Sequence, residues 1–336
     1  MLVTIVGSGL SGATAAVMAL RAGHEVEVFE TRSHIGGNCY DSDFMGTRVH
    51  NYGAHIFHTN DEEVWKFLNQ FTSFNSYTHE VKGEISSGDI IPVPFNDVAA
   101  ELVGEQSEEW IVDHIFRAYT LKQWGVDYDQ LSGGVTKRNG LKKRRREGRD
   151  CRYFTDKYQG IPVNGYTAMI EAMFEGARVH LNADKDAWKR HKGGLVIYTG
   201  PVDSFYDYGL GRLKYRSLKW KHTYGPGLDT AVLNHCHMGK DSTRVVDHAR
   251  FHPETLKHPQ KYRVTSEEWA EDYDPKLNLP IYPVPFKEDQ DLYTKYRQLV
   301  LAESDTVFLG RLATYKYLDM WMAVKQVIQK MSHYFV

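Results

Sequence analysis

The sequence predicts an α/β fold that opens with a dinucleotide-binding unit, because strand, glycine turn, helix and strand follow one another within its first 30 residues. Residues 2–6 (LVTIV) form a short β-branched run of the kind that makes a buried parallel strand. The run leads directly into residues 7–12 (GSGLSG), and the alanine-rich residues 13–22 indicate a helix. This order of elements places the N-terminus of a helix where it would face the phosphates of a dinucleotide.

The three glycines of the turn are expected to have separate tasks. Gly7 permits the tight turn, Gly9 lets the backbone approach a pyrophosphate, and Gly12 allows the helix to pack closely on the strand. The second strand ends on Glu30, 23 residues after Gly7, where an acid is expected to meet the adenosine ribose hydroxyls. A glycine-rich turn in another kind of α/β protein is the alternative, and the framing strand and acid argue against it.

The residues after this acid indicate which dinucleotide binds. Arg32 follows Glu30 in an E-x-R arrangement, and residues 35–38 (IGGN) contain two consecutive glycines that lead to Gly37 and Asn38. Such a pair permits close approach to a cofactor that extends beyond its own pyrophosphate. The stretch resembles the FAD fingerprint of the glutathione-reductase-like flavoproteins, so we expect a Rossmann-like FAD-binding domain of that type.

Two histidines three residues apart, His55 and His58, lie within residues 52–59 (YGAHIFHT). No cysteine or carboxylate accompanies them at ligand spacing, so the sequence predicts no metal site. Histidines that are satisfied within the core are a second interpretation. Contact between His55 and the flavin is the interpretation that the preceding FAD motif favours.

Composition restricts the class of protein. The chain has 336 residues, of which 42% are hydrophobic and 25% charged, as is ordinary for a globular enzyme with inserted subdomains. A formal net charge of -2 argues against nucleic-acid binding, and no apolar run approaches the length that spans a membrane. Three scattered cysteines (Cys39, Cys151 and Cys236) indicate a reducing compartment. We therefore expect a cytoplasmic enzyme whose partners include neither nucleic acid nor a membrane.

The remaining sequence predicts a discontinuous FAD-binding domain with two inserts. Helices are expected over 61–73, over 97–123 and from about Asp319. Strands are expected at 77–95, 163, 178–181, 193–200, 213–221, 229–247 and 306–311. We expect an FAD-binding domain formed by 1–75, 190–212 and 300–336, and a small helical subdomain at 97–135. An antiparallel β-sheet substrate domain is expected from 76–96, 150–189 and 213–299, with a mobile basic loop at 137–152.

Three segments carry candidate substrate chemistry. Residues 119–124 (YTLKQW) place a phenol near an indole, although aromatic residues on a helix more often belong to a core. Residues 137–152 hold nine basic residues against two acids; a solvated loop is the ordinary interpretation, but one or two arginines there could clamp a diphosphate. The third segment combines 281–284 (IYPV) with 310–319 (GRLATYKYLD), whose phenols need hydrogen-bond partners if they are buried.

A set of collinear motifs extends from residue 7 to residue 320. They are GSGLSG, HIGGN, YGAHIFHT, YTLKQW, YFTDKYQGIPVNGY, IYTGPVD, YRSLK, TRVVDH, IYPV and GRLATYKYLDM. Together they resemble the prokaryotic-type UDP-galactopyranose mutases, of which this chain looks like a shortened member. The resemblance implies an isomerase that interconverts UDP-galactopyranose and UDP-galactofuranose on reduced FAD. In that chemistry N5 attacks the anomeric carbon, UDP leaves, and the ring opens through a flavin iminium without net redox change.

The resemblance also implies roles for individual residues. Cofactor contacts fall on Gly7, Gly9, Gly12, Glu30, Arg32, Gly37, Asn38, His55, Arg311 and Asp319. Substrate contacts fall on Asn96, Tyr119, Thr120, Trp124, Arg138, Tyr153, Arg244, Tyr282 and Tyr317. Within the second set Tyr119 and Trp124 form the uridine platform, and Asn96 is a contact on the sugar side. The implied catalytic residues are His55, against the flavin, and Arg138 and Arg244, which hold the diphosphate while UDP is detached.

Two departures from the family pattern affect the expected assembly and loop. Only 22 residues separate Asn96 from Tyr119, fewer than in the usual family subdomain, which supplies much of the dimer interface. This shortening leaves the oligomeric state open, with a homodimer as one of the expected states. The basic loop is longer and more basic than usual, and one of the arginines at 144–146 could replace Arg138. Expected partners are UDP-galactose in both ring forms, UDP, and an unidentified reductant of the flavin. An amine-oxidase-like flavoprotein and a non-catalytic nucleotide-sugar-binding flavoprotein are the alternatives.

Overall fold

A computed structural model describes residues 1–130, 145–253, 262–284 and 286–335. Its strands are β1 (Leu2–Val6), β2 (Glu25–Phe29), β3 (Asp41–Phe44), β4 (Thr47–His50), β5 (Phe57–Thr59), β6 (Val81–Glu84), β7 (Ile90–Val93), β8 (Tyr158–Gly160), β9 (Arg178–His180), β10 (Leu195–Tyr198), β11 (Tyr215–Pro226), β12 (Val232–His235), β13 (Arg244–Asp247), β14 (Tyr262–Asp272), β15 (Tyr282–Pro283) and β16 (Thr306–Phe308). Its α-helices are α1 (Leu10–Arg21), α2 (Glu62–Leu68), α3 (Asp97–Val103), α4 (Glu108–Ile111), α5 (Ala118–Trp124), α6 (Gly165–Met173), α7 (Val202–Phe205), α8 (Lys287–Ala302), α9 (Gly310–Ala313) and α10 (Met320–Met331).

Five strands form a parallel sheet in the spatial order β16-β10-β1-β2-β9. The central strand β1 has Val3 and Ile5 fully buried, as expected of a parallel sheet that helices cover. Helix α1 packs on this sheet through buried alanines and also contacts the C-terminal helix α10. The sheet therefore joins both ends of the chain, and the expected Rossmann-like α/β fold is confirmed.

The parallel sheet takes more of the chain than the expected domain boundaries allow. Strand β9 pairs with β2, and helix α6 packs on α1. Residues 165–180 thus belong with the parallel sheet, whereas the sequence placed 150–189 in the substrate domain. A three-residue edge strand is too short to show a period, so its sequence does not reveal which sheet it joins.

A second sheet has seven strands in the order β15-β11-β14-β13-β12-β6-β7. The antiparallel sheet expected there is present with one exception, because β12 and β6 run parallel. The register of β13 and β14 places Arg244 directly opposite Glu268. Opposite residues on paired strands project from the same face, so this register brings the two side chains together.

The helical insert positions the residues of the YTLKQW motif. Helix α4 continues through a π-helical turn at Val112–Arg117 into α5, so one continuous helical segment holds the C-terminal half of the insert. Helix α5 ends at Gly125, whose φ of +73° is a left-handed conformation that glycine tolerates. This end point fixes the direction of Trp124, the last residue of the helix.

Two elements differ from expectation for reasons that concern burial. Helix α8 was not expected, because among its residues only Asp289 and Tyr296 are buried and no apolar period marks it. The hydroxyl of Tyr296 donates to the carbonyl of Gly211 at 2.6 Å and anchors the helix. The strand expected at residue 163 is β8, which ends three residues earlier. In the described part of the chain, no helix is long and apolar enough to cross a membrane.

Candidate active site

The glycine turn after β1 forms a cradle in which Gly7, Gly12 and Gly37 leave no room for a side chain. A Cβ on Gly12 would lie 2.1 Å from the carbonyl oxygen of Gly7, and Gly7 itself has φ +101°. A Cβ on Gly37 would lie 2.8 Å from the Cα of Gly9, because the second glycine loop packs directly onto the first. The N-cap residue of α1 is Gly9, which supplies no side chain, so the first N–H groups of the helix stay open to a phosphate.

Glu30 and Arg32 support this cradle. One carboxylate oxygen of Glu30 accepts from the backbone N–H and the hydroxyl of Ser8 at 2.9 and 2.8 Å, and the other accepts from the N–H of Arg32 at 2.9 Å. The guanidinium of Arg32 donates to Asn38 at 2.9 Å and lies over the ring of Tyr52. Its buried Nη1 has no hydrogen-bond partner among the described residues. A cradle without side chains beside a cation with an unused donor fits the pyrophosphate of a dinucleotide.

Residues near the C-terminus complete this region. A Cβ on Gly310 would lie 2.8 Å from the hydroxyl of Ser11, so helix α9 begins directly against the first turn of α1. Arg311 donates to the carbonyl of Leu318 at 2.6 Å and lies over the rings of Tyr282 and Tyr317. Asp319 occupies the N-cap position of α10. The structure therefore brings Arg311 to the boundary between the glycine cradle and the tyrosine-rich segment.

His55 is held as a neutral imidazole. Its Nδ1 lies 2.8 Å from the carbonyl oxygen of Gly53, so the proton belongs on Nδ1 and Nε2 is the acceptor. Burial, with added repulsion from Arg311 and Arg244, lowers the pKa of His55 to about 4. The second histidine of the motif, His58, bonds to Asp156 at 3.0 Å and stacks on a phenylalanine. The two histidines thus have separate environments, and only His55 lies near both arginines.

Four histidines are expected to make stability depend on pH: His50, His79 and His248 are buried, and His55 is partly exposed. Burial lowers the pKa of His55 to about 4, those of His79 and His248 to about 3, and that of His50 well below its usual value of 6.5. The unfolded chain binds these protons below pH 6.5 and the folded chain does not, so stability is full above pH 6.5 and falls with acid. Each histidine contributes to the free energy of unfolding a slope on the order of 1.4 kcal/mol per pH unit.

We expect Tm to fall steeply from pH 6.5 towards 4, and we expect His248→Asn to make this fall of Tm with pH less steep. The exposed His333→Asn should retain it, and a Tm that stays constant in this range would contradict the assignment.

Arg244 and Glu268 form a cross-strand ion pair beside His55. The guanidinium Nε lies 2.6 Å from one carboxylate oxygen, and this partner raises the pKa of Arg244. Glu268 is 1% exposed at its side chain, whereas Arg244 is 21% exposed. A Cβ on Gly53 would lie 3.5 Å from Nη2 of Arg244, so the loop that holds His55 rests on the arginine. The carboxylate anchors one edge of the guanidinium and leaves the rest of it for an anion.

Three phenols, those of Tyr119, Tyr153 and Tyr282, lie near enough to Arg244 for its charge to lower their pKa values, and Tyr317 stacks on the third. Burial raises the pKa values of Tyr119 and Tyr153 to about 12, and Arg244 opposes that rise in both. Burial also raises the pKa of Tyr282, whose ring stacks on that of Tyr317 with centroids 5.6 Å apart. All four side chains remain partly exposed, so their hydroxyls can meet a ligand.

Trp124 lies at the inner edge of the same cluster. Its ring centroid is 6.0 Å from that of Tyr282 and 6.1 Å from that of Tyr317, and only 6% of the residue is exposed. Thr120 is buried on the same helix. Tyr119 is the more exposed member of the expected uridine platform.

Asn96 does not join the cluster. It is fully buried, its side-chain oxygen accepts from the N–H of Ala99 at 3.1 Å, and its amide donates to the carbonyl of Asp150 at 3.1 Å. These bonds cap helix α3 and tie it to the segment before Tyr153. Because its side chain has no accessible surface, Asn96 caps helix α3 instead of making the expected contact with the sugar.

The described part of the basic segment is docked on helix α3. Arg145 bonds to Asp97 at 3.1 Å and to Glu105 at 2.8 Å, and Arg149 pairs with Glu101. Arg146 donates to main-chain carbonyls within its own segment. These acids hold Arg145 and Arg149 in this structure, and the mobility expected of residues 137–152 stays a prediction. Arg138 and Arg144 lie outside the described residues.

Two features of the site were not found from the sequence. Glu268 was missed because its role depends on the register of two strands. In the sequence it is one of several acids in an ordinary alternating strand, residues 262–272 (YRVTSEEWAED). Lys122 was missed because its partners are carbonyl groups, which no residue type reveals. The only signal for Lys122 was its place inside the YTLKQW motif.

Comparisons with known proteins give matches over nearly the whole chain. Residues 114–317 match the family description UDP-galactopyranose mutase, and residues 5–71 match an NAD(P)-binding Rossmann-like domain. A probable UDP-galactopyranose mutase of Klebsiella pneumoniae is 32% identical, over 97% of this chain and 93% of its own length. A dTDP-fucopyranose mutase of Escherichia coli is also 32% identical, over 97% and 96%. A solved structure of reduced UDP-galactopyranose mutase superposes with a TM-score of 0.72 at 15% identity, covering 99% of this chain and 93% of that one.

Proposed function

The chain belongs to the UDP-galactopyranose mutase family, and from that premise we propose that it interconverts UDP-galactopyranose and UDP-galactofuranose on reduced FAD. The observation that carries the proposal is the position of Arg244. This cation lies against the His55 loop on one side and among the phenols Tyr119 and Tyr282 on the other. A diphosphate at Arg244 would thus place its sugar between the cofactor region and the tyrosine cluster.

The FAD-binding residues that we propose are those around the glycine cradle. They are Gly7, Gly9, Gly12, Glu30, Arg32, Gly37, Asn38, His55, Arg311 and Asp319. Bound and reduced, FAD supplies a nucleophilic nitrogen, N5, for the anomeric carbon of the sugar. The open N–H groups of α1 and the unused Nη1 of Arg32 support this assignment.

His55 contributes an acceptor of fixed direction. Its proton stays on Nδ1, where Gly53 accepts it, so Nε2 can accept a hydrogen bond from the cofactor or the sugar at neutral pH. A pKa of about 4 keeps the ring uncharged there, so it does not compete with Arg244 for the diphosphate.

Arg244 and the phenols retain the nucleotide while the sugar is detached from it. UDP is both the leaving group and the returning nucleophile, so its diphosphate must stay bound in between. Arg244 supplies the positive charge, and Tyr119, Tyr153 and Tyr282 supply O–H donors that remain protonated at neutral pH. We assign the hydroxyl of Tyr317 to the same diphosphate. Trp124 and Thr120 support Tyr119 from the same helix, and we propose Arg138 as a second cation.

The same proposal assigns the ligands of the protein, its reductant and its cellular compartment. We assign UDP-galactose in both ring forms and UDP as ligands, with a cellular reductant that maintains the flavin. The three cysteines are free thiols, which suits a reducing cytoplasm.

The identity of the nucleotide has a second candidate. The relative that acts as a dTDP-fucopyranose mutase is as similar to this chain as the relative named a UDP-galactopyranose mutase. Turnover of UDP-galactofuranose and of dTDP-fucofuranose by the reduced protein separates the two. A kcat/KM that is higher for the dTDP sugar would overturn the assignment of UDP-galactose.

Activity is expected only with reduced flavin. The purified protein should be yellow, because the glycine cradle and Arg32 hold oxidised FAD, and dithionite should bleach it and start turnover of UDP-galactofuranose. The physical reason is that only the reduced flavin carries a lone pair on N5 that can attack carbon. Equal turnover rates before and after dithionite would contradict the proposal, and a control with free FAD and dithionite should show no turnover.

A further inference from the structure

The side chain of Lys122 ends in a ring of main-chain carbonyl groups. Its Nζ lies within hydrogen-bond distance of four carbonyl oxygens, those of His235 at 2.7 Å, His237 at 3.0 Å, Lys240 at 3.1 Å and Ser242 at 2.9 Å. All four residues belong to the β12–β13 hairpin, at the end of β12 and in the loop that follows. An ammonium has three N–H groups, so this ring saturates its capacity as a donor.

This ring connects the two halves of the proposed site. Lys122 lies three residues after Tyr119 and two residues before Trp124 on helix α5, and Ser242 lies two residues before Arg244. Residues three apart on a helix share a face, so Lys122 and Tyr119 project towards the same side. The contact therefore sets the distance between the aromatic side chains and the proposed diphosphate cation.

A second cation, the guanidinium of Arg216, also holds helix α5 in place. Arg216 on β11 donates from Nη2 to the carbonyl of Lys122 and from Nε to that of Gln123, both at 3.0 Å. These carbonyls belong to the last turn of α5, where no intrahelical donor remains. Helix α5 is thus held at its end by Arg216, while Lys122 holds it to the hairpin.

The carbonyl ring is organised by bonds that do not involve Lys122. The N–H of His235 donates to the carbonyl of Thr243 at 2.9 Å, and the hydroxyl of Ser242 donates to Glu267 at 2.6 Å. His235 and Ser242 are each 2% exposed. Because these bonds would survive the loss of the lysine, the ring should persist and its oxygens would need another cation.

We propose that Lys122 is a positioning residue whose ammonium acts as a built-in monovalent cation, and that the carbonyl ring binds free K⁺ or NH₄⁺ when the side chain is removed. Distances of 2.7–3.1 Å exceed the roughly 2.3–2.6 Å of Ca²⁺ and the roughly 2.0–2.1 Å of Mg²⁺ to oxygen, so the ring is too wide for either. Rings of backbone carbonyls replace the hydration shell of K⁺ in selectivity filters. The proposal rests on the proposed function only in its kinetic measurement.

The test compares Lys122→Ala in NH₄Cl or KCl with the same variant in tetramethylammonium chloride at equal ionic strength. In tetramethylammonium we expect a Tm several degrees below that of the wild type. We also expect a KM for UDP-galactofuranose roughly tenfold higher, with unchanged FAD content. NH₄⁺ or K⁺ should restore both quantities, whereas the wild type should respond equally to all three salts.

Two further variants separate this proposal from simple packing. Lys240→Ala removes a charge that binds Glu84 but keeps the main-chain carbonyl of the ring, so it should show no dependence on the cation. Lys122→Met keeps the apolar stem without a donor, and wild-type Tm and KM in this variant would overturn the proposal. The Lys122→Met variant also tests the proposal if Lys122→Ala is insoluble in every salt. A loss of Tm in Lys122→Ala that no cation restores would also overturn it, and this measurement stands even if no turnover is found.

Discussion

Replacing Arg244 with alanine is expected to decrease kcat/KM of the reduced enzyme by roughly 30- to 4,000-fold, which is about 2–5 kcal/mol of transition-state stabilisation. The guanidinium is partly exposed, and Glu268 binds it at Nε, so its other N–H groups are available to the diphosphate. The surrounding phenols can donate hydrogen bonds but supply no positive charge at neutral pH. The FAD content should be unchanged, because the glycine cradle and Arg32 are assigned to the cofactor. Steady-state turnover and flavin absorbance measure the two effects separately.

Two control variants isolate the catalytic part of this effect. Arg263 forms a comparable cross-strand pair with the buried Asp247 on the same two strands, so Arg263→Ala should affect stability while leaving kcat/KM near the wild-type value. Alanine at position 244 leaves Glu268 buried and unpaired, which destabilises the fold. Adding Glu268→Gln should restore Tm without restoring activity. An Arg244→Ala variant that loses its flavin but regains wild-type kinetics on reconstitution would show that the residue serves the cofactor.

Replacing Gly12 with alanine is expected to abolish FAD binding and to lower Tm. The new Cβ would lie 2.1 Å from the carbonyl oxygen of Gly7, a backbone atom that cannot move without displacing helix α1 from strand β1. Overpacking of this kind costs about 1–3 kcal/mol, and occasionally more. The shift would also displace the open N–H groups of α1 that face the cofactor phosphates. Flavin absorbance per protein and thermal unfolding measure the two consequences.

Gly225→Ala is the matched control, because a Cβ at that strand position meets no atom within 4 Å. It should bind FAD and unfold as the wild type does. Gly9→Ala is more discriminating, since its Cβ would make only an ordinary 3.6 Å contact with Gly37. This variant should fold normally and still bind FAD more weakly. Wild-type FAD content in Gly12→Ala would contradict the assignment of the cradle.

The parts of the site that could be predicted from the sequence are those that depend on local geometry. The turn at residues 7–12 was predictable because glycine, strand and helix propensities act over a few residues. Strand β2, which ends one residue before Glu30, was predictable for the same reason. The resemblance to a known family added the aromatic and arginine positions, whose mutual proximity in space is found only in the structure.

The rest of the site depends on contacts between remote elements. Arg244 opposes Glu268 through a strand register that no single residue encodes. His55 and His58 look equivalent in the sequence but differ because His58 lies on strand β5 facing Asp156, whereas His55 precedes it. Arg145 was one of the candidate phosphate ligands in the sequence, and the structure pairs it with Asp97 of helix α3 and with Glu105. In each case the partner decides the role, and the partner is distant in the chain.

The parallel sheet has a consequence for how the protein is made. Its central strand β1 comes from residues 2–6, whereas its edge strand β16 and the helix α10 that packs on α1 come from residues 306–331. Residues 13–309 are therefore synthesised after the glycine turn and before Gly310 and Arg311, which close over it. Non-local closure of this kind is slow, and the unpaired strands are exposed to aggregation in the meantime. We therefore expect the flavin site to be complete only after Gly310 and Arg311 have been synthesised, so a chain truncated before them should lack flavin.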